Sequence, residues 1–534
     1  MTRLLSPIAA RPWLATLLVF LGIFLAAEAW AVSTPLSGSP DESSHIVKAA
    51  AVVRGEFIGK PTSEPAITNV VVPGDIATAP SWPCFMFRAD VTADCHGPFT
   101  GGPDRTTWTS AGLYDPLYYL AVGWPSLLFS TAHATVFAMR TIGALLCSAF
   151  LAIAFAALRR SGLRFFAGAT IFAAATPMVL FLSASVNPNG LEVASGVALL
   201  ALLLALVRGD GTGRRWMLPL AFLSGAVLVN MRGISPVWLA VIGIAAIVGA
   251  RKGRLGELLR LPGVWITLVG IAIAGAFAVA WILGTNTLNS MGTFSGAGYT
   301  PPISAFVTMV LNRSIDPAFV GIFGWLDTFP PSYVTAVWGA LAGGMAVLAL
   351  IVARRRLVYA FIVTLAGLVL VPAVTQAGSV VHSGYIWQGR YSLVAFACVV
   401  LVAGVVLGER FDLAVLRSGF ARRAVWTLSV LVLTAHLLAL VFAIKRYSRG
   451  ASTEWLSFIA HPGWQPPGGW VVWPVVMTIG IALVAVAWRA STLAAPALGE
   501  PAAHLEGPSA NENAAATTPL AAETTPVEER DAVR

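Results

Sequence analysis

The sequence predicts an all-α polytopic membrane protein, and three observations carry that expectation. The 534-residue chain is 57% hydrophobic and only 11% charged, where a soluble protein has about 25% charged residues. Apolar runs of membrane length recur from Leu14 to Trp488. The arginines behind the formal charge of +9 cluster in short loops between those runs. That is topogenic charge, not a nucleic-acid surface.

The chain is expected to begin with a signal-anchor helix in 1–32. Its apolar run is longer than a secretory h-region and has no clean small-residue cleavage site behind it. A segment of roughly a hundred residues, 33–134, then lies outside the membrane. Within it, 115–130 is apolar but short and interrupted by Pro125, whereas spanning needs about 20 residues. It is read as a re-entrant or interfacial outer helix.

From 135 to 489 the chain reads as a multi-span domain. Spans are expected at 13–32, 135–158, 165–184, 190–207, 216–230, 234–250, 264–284, 333–353, 357–376, 391–408, 424–444 and 470–488. That is about twelve helices. Basic clusters at Arg159-Arg160, Arg214-Arg215, Arg251-Lys252, Arg354-Arg355-Arg356 and Arg422-Arg423 place those loops, and both termini, on the cytoplasmic side. The expected location is a multi-pass position in the cytoplasmic membrane. Three outer loops, 285–332, 378–390 and 445–469, join the first long segment on the far face. The tail, 490–534, is rich in Ala, Pro, Thr and Glu and is expected to be disordered.

The polar stretch Ser39-Pro40-Asp41-Glu42-Ser43-Ser44-His45 follows the first apolar run. Pro40 suits the first turn of a helix, and a carboxylate there sits near the positive end of the helix dipole. Asp41, Glu42, His45 and Lys48 then recur every three or four residues, which groups them as one polar cluster at the membrane surface. The same spacing also fits a plain N-terminal cap of a surface helix.

Charged residues near lipid are costly without a partner or a cavity. Arg140, Arg232 and Arg390 are therefore singled out, Arg390 within Gln388-Gly389-Arg390-Tyr391. A guanidinium offers a planar fork suited to phosphate. An internal ion pair, with Glu192 or Glu28, serves Arg140 and Arg232 equally well, and Arg390 could snorkel to headgroups. Tyr114, Tyr118 and Tyr119 with Trp124 read as an aromatic belt or a substrate platform. Cys84 and Cys95 lie eleven residues apart in the first long segment, where oxidation to a disulfide and two free thiols are both open. Neither paired cysteines nor clustered histidines suggest zinc.

These stretches resemble a family. Pro40-Asp41-Glu42 with His45, then Tyr114-Asp115-Pro116-Leu117-Tyr118-Tyr119, look like the start of bacterial membrane proteins grouped as domain of unknown function 2142. Ser185-Val186-Asn187-Pro188-Asn189, Gly324-Trp325-Leu326-Asp327-Thr328 and Gln388-Gly389-Arg390-Tyr391 match its pattern in order, and Arg446-Tyr447 with the stretch from Trp464 to Pro467 fits it too. Asp115 and Asn189 depart from that pattern. The family in turn is similar to the GT-C superfamily of integral-membrane glycosyltransferases, which use polyprenyl-phosphate sugars as donors.

The resemblance implies a GT-C-like fold with Asp41 as catalytic base and Glu42 supporting it or binding a divalent metal. Substrate contacts are expected from His45, Lys48, Tyr114, Asn187, Arg232, Asp327, Gln388, Arg390, Tyr391 and Arg446. The partners it implies are a lipid-linked sugar donor and membrane lipids, with no nucleic acid. Two other classes fit the same composition: a lipid or sugar transporter or flippase, and a non-catalytic scaffold of envelope assembly. A transporter would carry internal repeats, and none is visible between the halves.

Overall fold

The structure is a computed structural model that describes residues 2–97, 99, 101–287, 292–354 and 356–493. Most of the expected tail lies outside the described residues.

Among the described residues nine helices are long and apolar enough to cross a membrane. They are Pro12–Ser33, Ala132–Arg160, Pro188–Arg208, Pro262–Gly284, Ser332–Val352, Arg356–Ser383, Gly389–Arg417, Phe420–Arg449 and Val472–Ser491. One further pair of helices, Phe165–Ala174 and Pro177–Ser183, passes the same test together and meets at 69°, a broken span or a re-entrant segment. The cause is local, since Thr176 caps the second piece and Pro177 opens it, and proline cannot continue the preceding helix.

The count of about twelve is therefore corrected. The segments expected at 216–230 and 234–250 are helical, but Arg214–Val229 has 16 residues with Pro219 inside it, and Ser235–Gly249 has 15. At the helical rise they reach about 24 and 22 Å, short of a hydrocarbon core of about 30 Å. Several other helices outrun their expected ends. Arg356–Ser383 shortens the loop expected at 378–390, and Phe420–Arg449 carries Lys445 and Arg446 on its last turns.

Burial separates centre from rim. The apolar stretch of Pro188–Arg208 is 94% buried in protein, against 11% for Pro262–Gly284. The first and last spans cross at Gly22 and Gly480, where a Cβ on either would come within 2.6 Å of the other's carbonyl oxygen. Small residues permit such close backbone approach in a membrane, where packing drives helix association.

Between the first two spans the chain folds into a compact layer. Three antiparallel strands, β1 (Lys60–Pro61), β2 (Thr68–Val72) and β3 (Arg105–Thr109), pair in the order β1-β2-β3. The helix Glu42–Val52 packs on this sheet and on the short helix Leu117–Gly123. All eleven of its residues are buried, so it is a core element, not the surface helix that its capping pattern allowed. Leu117–Gly123 has seven residues, with Leu117, Leu120, Trp124, Leu127, Leu128 and Phe129 exposed in and after it. Cys84 and Cys95 form a disulfide.

Candidate functional site

The site begins where the first span ends. The Thr34 N–H bonds the Trp30 carbonyl at 3.0 Å, and the chain then turns through Ser37 and Asp41, both left-handed at φ +58° and +63°. Aspartate tolerates this region better than most residues. A left-handed non-glycine residue still costs about 1–3 kcal/mol and persists only where its surroundings over-determine it. Arg140 supplies part of that constraint by donating to the carbonyls of Ala31, Thr34 and Pro35 at 2.6–2.8 Å.

The turn breaks the helical spacing that grouped four polar residues into one cluster. Asp41 precedes the helix and its side chain does not cap it. Glu42 points inward and takes both of its oxygens to Arg140, at 2.7 and 2.6 Å, and also accepts the Val186 N–H at 2.9 Å. Neither side chain of this pair has any exposure. His45 Nδ1 meets the Tyr119 hydroxyl at 2.7 Å. Lys48 donates to the carbonyls of Gly112 and Phe57 and so ties the helix to its own layer.

Asp41 is left facing another way. Its carboxylate accepts from Arg390 Nη2, and its side chain stays 46% exposed while that of Arg390 is 1% exposed. Arg390 Nη1 and Asn187 Nδ2 both donate to the Pro40 carbonyl, at 3.4 and 3.2 Å. The Arg232 guanidinium lies 4.1 Å from the centre of the Tyr391 ring, and that of Arg390 lies 5.2 Å from it. Arg232 also sits 3.7 Å from Glu192, whose other oxygen accepts from Ser235. Tyr114 meets the His45 ring edge-on at 5.4 Å. The structure thus brings Asp41, His45, Tyr114, Asn187, Arg232, Arg390 and Tyr391 together.

Electrostatics favour an ionised Asp41. Burial raises its carboxyl, but the charge and hydrogen bond of Arg390, with smaller help from His45 and Arg232, outweigh that and hold it below the ordinary carboxylate range. Burial pushes His45 down to about 3, so its imidazole is neutral at pH 7. Four buried polar atoms around the turn have no hydrogen-bond partner: Ser37 Oγ, Ser39 Oγ, Gln388 Oε1 and Arg390 Nε. An apolar groove of about 240 Å³ is lined by Tyr118, Leu191 and Met231 among others. Those three are the chain neighbours of Tyr119, Glu192 and Arg232.

The remaining expected site residues stand elsewhere. Asp327 and Arg446 pair at 2.7 Å, and Arg446 also donates to the carbonyls of Phe85, Arg88 and Val91. These two form a separate cluster behind the turn. The tyrosines Tyr118 and Tyr119 are buried at 2% and 0% exposure, which removes them from a lipid-facing belt.

One positioning residue escaped the sequence reading. Gln376 donates to the Gly384 carbonyl at 2.8 Å and accepts the N–H groups of Ile386 and Trp387 at 3.1 and 2.9 Å. It shapes the turn that delivers Gln388 and Arg390. A wholly buried amide in an apolar helix was the available signal.

The donor set does not suit a divalent metal at Asp41-Glu42. Glu42 is consumed by Arg140 and Val186, and Asp41 faces a guanidinium. Among the described residues no three His, Cys, Asp or Glu side chains come together.

The sequence matches the family described as Predicted membrane protein (DUF2142) over residues 23–400. The chain belongs to that family. The DUF2142 match includes Asp41, Arg232 and Arg390 and stops short of Arg446. No curated protein matches the sequence. Among solved structures, the chain is similar to ArnT from Cupriavidus metallidurans bound to undecaprenyl phosphate, at 12% identity and a TM-score of 0.42. That match covers 89% of this chain and 75% of the other.

Proposed function

We propose that this DUF2142 protein is a membrane glycosyltransferase that moves a sugar from a polyprenyl-phosphate donor to a cell-envelope acceptor. The proposed site of transfer is the outer face of the cytoplasmic membrane. The observation that carries this reading is the asymmetric pair at the turn: a half-exposed carboxylate held by a buried arginine, with a second arginine across Tyr391.

In this mechanism Asp41 takes the proton of an acceptor hydroxyl as that oxygen attacks the anomeric carbon of the donor sugar. The bond between that carbon and the phosphate oxygen breaks, and the lipid phosphate leaves with the electron pair. Arg390 and Arg232 stabilise the negative charge that develops there. His45, neutral and bonded to Tyr119, and Tyr114 beside it wall the sugar position. The apolar groove whose lining includes Met231, the chain neighbour of Arg232, supports a lipid-linked donor, since an isoprenoid chain gains about 25 cal/mol for each Å² of apolar surface it removes from water. Glu42 acts as a structural support.

The test is sugar transfer from a panel of polyprenyl-phosphate sugars by purified protein in nanodiscs, with Asp41→Asn alongside. Wild type should turn over one donor, and Asp41→Asn should lose about 10²–10⁴-fold while remaining folded. Undiminished transfer by the variant overturns the assignment of the base. A groove and two arginines that bind the lipid phosphate without any transfer would favour a flippase.

A further inference from the structure

The second cluster lies on the reverse side of the Asp41 turn and explains what the first leaves open: how two left-handed residues are kept in place. Trp325 Nε1 donates to the Ser37 carbonyl at 2.9 Å, and the Tyr447 hydroxyl donates to the Gly38 carbonyl at 2.7 Å. Ser37 is the first left-handed residue, and Asp41 is the second. Both donors are themselves fixed. Trp325 sits in a tight reversal, with left-handed Gly324 and Leu326 on either side of it and Phe323 paired to Thr328.

Tyr447 is 1% exposed and packs edge-on against Phe85 at 5.5 Å. Its neighbour Arg446 grips Asp327 and three carbonyls of the loop closed by the Cys84–Cys95 disulfide. The far end of the same turn is held by Asn187 and Arg390 on the Pro40 carbonyl.

We propose that Trp325 and Tyr447 are positioning residues for Asp41, clamping the Ser37–Gly38 backbone from behind so that the Asp41 carboxylate meets Arg390. The disulfide-closed loop, through Arg446, is the brace that holds the clamp. That Asp41 acts on a substrate rests on the function proposed above; the clamp itself does not. The reason for the arrangement is mechanical. Left-handed backbone at a non-glycine residue persists only where its surroundings over-determine it, and here donors from two distant segments hold the Ser37 and Gly38 carbonyls.

The experiment uses the full chain in nanodiscs, as wild type, Tyr447→Phe, which removes only the hydroxyl, and Trp325→Phe, which removes the indole N–H with part of the ring. Hydrogen–deuterium exchange reads the amides of 37–44. Labelling of carboxyl groups by a water-soluble carbodiimide with an amine reads Asp41, with Glu409 near the far end of the helix Leu393–Arg417 as control. Both variants should exchange several-fold faster at 37–44. Both should also label Asp41 several-fold faster at pH 5.5, with Glu409 unchanged, because a carboxylate loosened from Arg390 regains its ordinary proton affinity.

A merely structural loss would raise exchange and labelling throughout. Folded variants with wild-type exchange at 37–44 and wild-type Asp41 labelling overturn the clamp. If one variant does not fold, the other decides. Because neither readout needs turnover, a silent transfer assay would count against the transferase reading alone.

Discussion

Asp41 and Glu42 are adjacent, carry the same functional group and each face an arginine, yet the two pairs differ in exposure. Arg140 encloses Glu42 with no solvent access on either side chain, and the guanidinium spends its other donors on three carbonyls. Arg390 is equally buried, but its partner Asp41 is 46% exposed and the guanidinium keeps one nitrogen unpaired. A sealed pair joins elements; an open one has capacity left for a ligand. The left-handed turn at Asp41 separates the two outcomes by aiming neighbouring side chains apart.

The largest effect should come from breaking the sealed pair. Glu42→Gln leaves Arg140 buried without its counter-charge, which costs about 3–5 kcal/mol. Thermal unfolding of purified protein should show a much lower midpoint or little folded material. A wild-type midpoint would mean that the three carbonyls alone satisfy Arg140 and that the contrast is overstated. Asp41→Asn, by comparison, should shift the midpoint less, since its side chain is 46% exposed and water can take the place of the lost charge beside Arg390.

The open pair is sharpened by Arg390→Lys, which keeps the charge but loses the fork. Lysine cannot serve Asp41, Pro40 and a phosphate at once, so transfer should fall about 10-fold or more while folding holds. Equal rates for Lys and Arg would remove Arg390 from phosphate binding.

A further effect, read across pH, concerns Lys48, also buried on the same helix. Burial lowers its pKa to about 7, against about 10.4 in an unfolded chain. Between those values the unfolded state binds more protons, so this residue makes stability rise as pH goes from about 7 to 10. The slope should flatten in Lys48→Met, measured by thermal midpoints across that range. An unchanged slope would assign it to another group.

Much of the architecture was legible because membrane spans are written in composition and length. Long apolar runs gave ten of the expected spans, counting the bent pair as one. The two misjudged segments failed on a few residues each: Pro219 within one, and a reversal at 230–234 that trims both. The sheet was missed because strands of two to five residues among prolines and glycines leave no alternation to read.

At the site, Pro40-Asp41-Glu42 and Gln388-Gly389-Arg390-Tyr391 were visible as motifs. Their geometry was not. Helical spacing assumes right-handed backbone, so it grouped Asp41 with Glu42, His45 and Lys48, which a single left-handed residue sends to different partners. The Glu42–Arg140 pair spans 98 residues of sequence, and no local pattern reports a contact of that kind. Arg446 and Asp327 stood out as charges, but their role behind the turn depends on carbonyls that a sequence does not display.

The crossing of Gly22 on Gly480 has a consequence for biogenesis. The helix Pro12–Ser33 finds its main partner only when Val472–Ser491 has been made. Until then its glycine face stays open in the bilayer. The Asp41 turn, tied to that helix, likewise waits for Arg390 and Tyr447. Closing so long a chain segment is slow because its entropy must be given up before the contact forms. Chains truncated before residue 390 should therefore be inserted yet leave the Asp41 turn without its arginine and tyrosine partners.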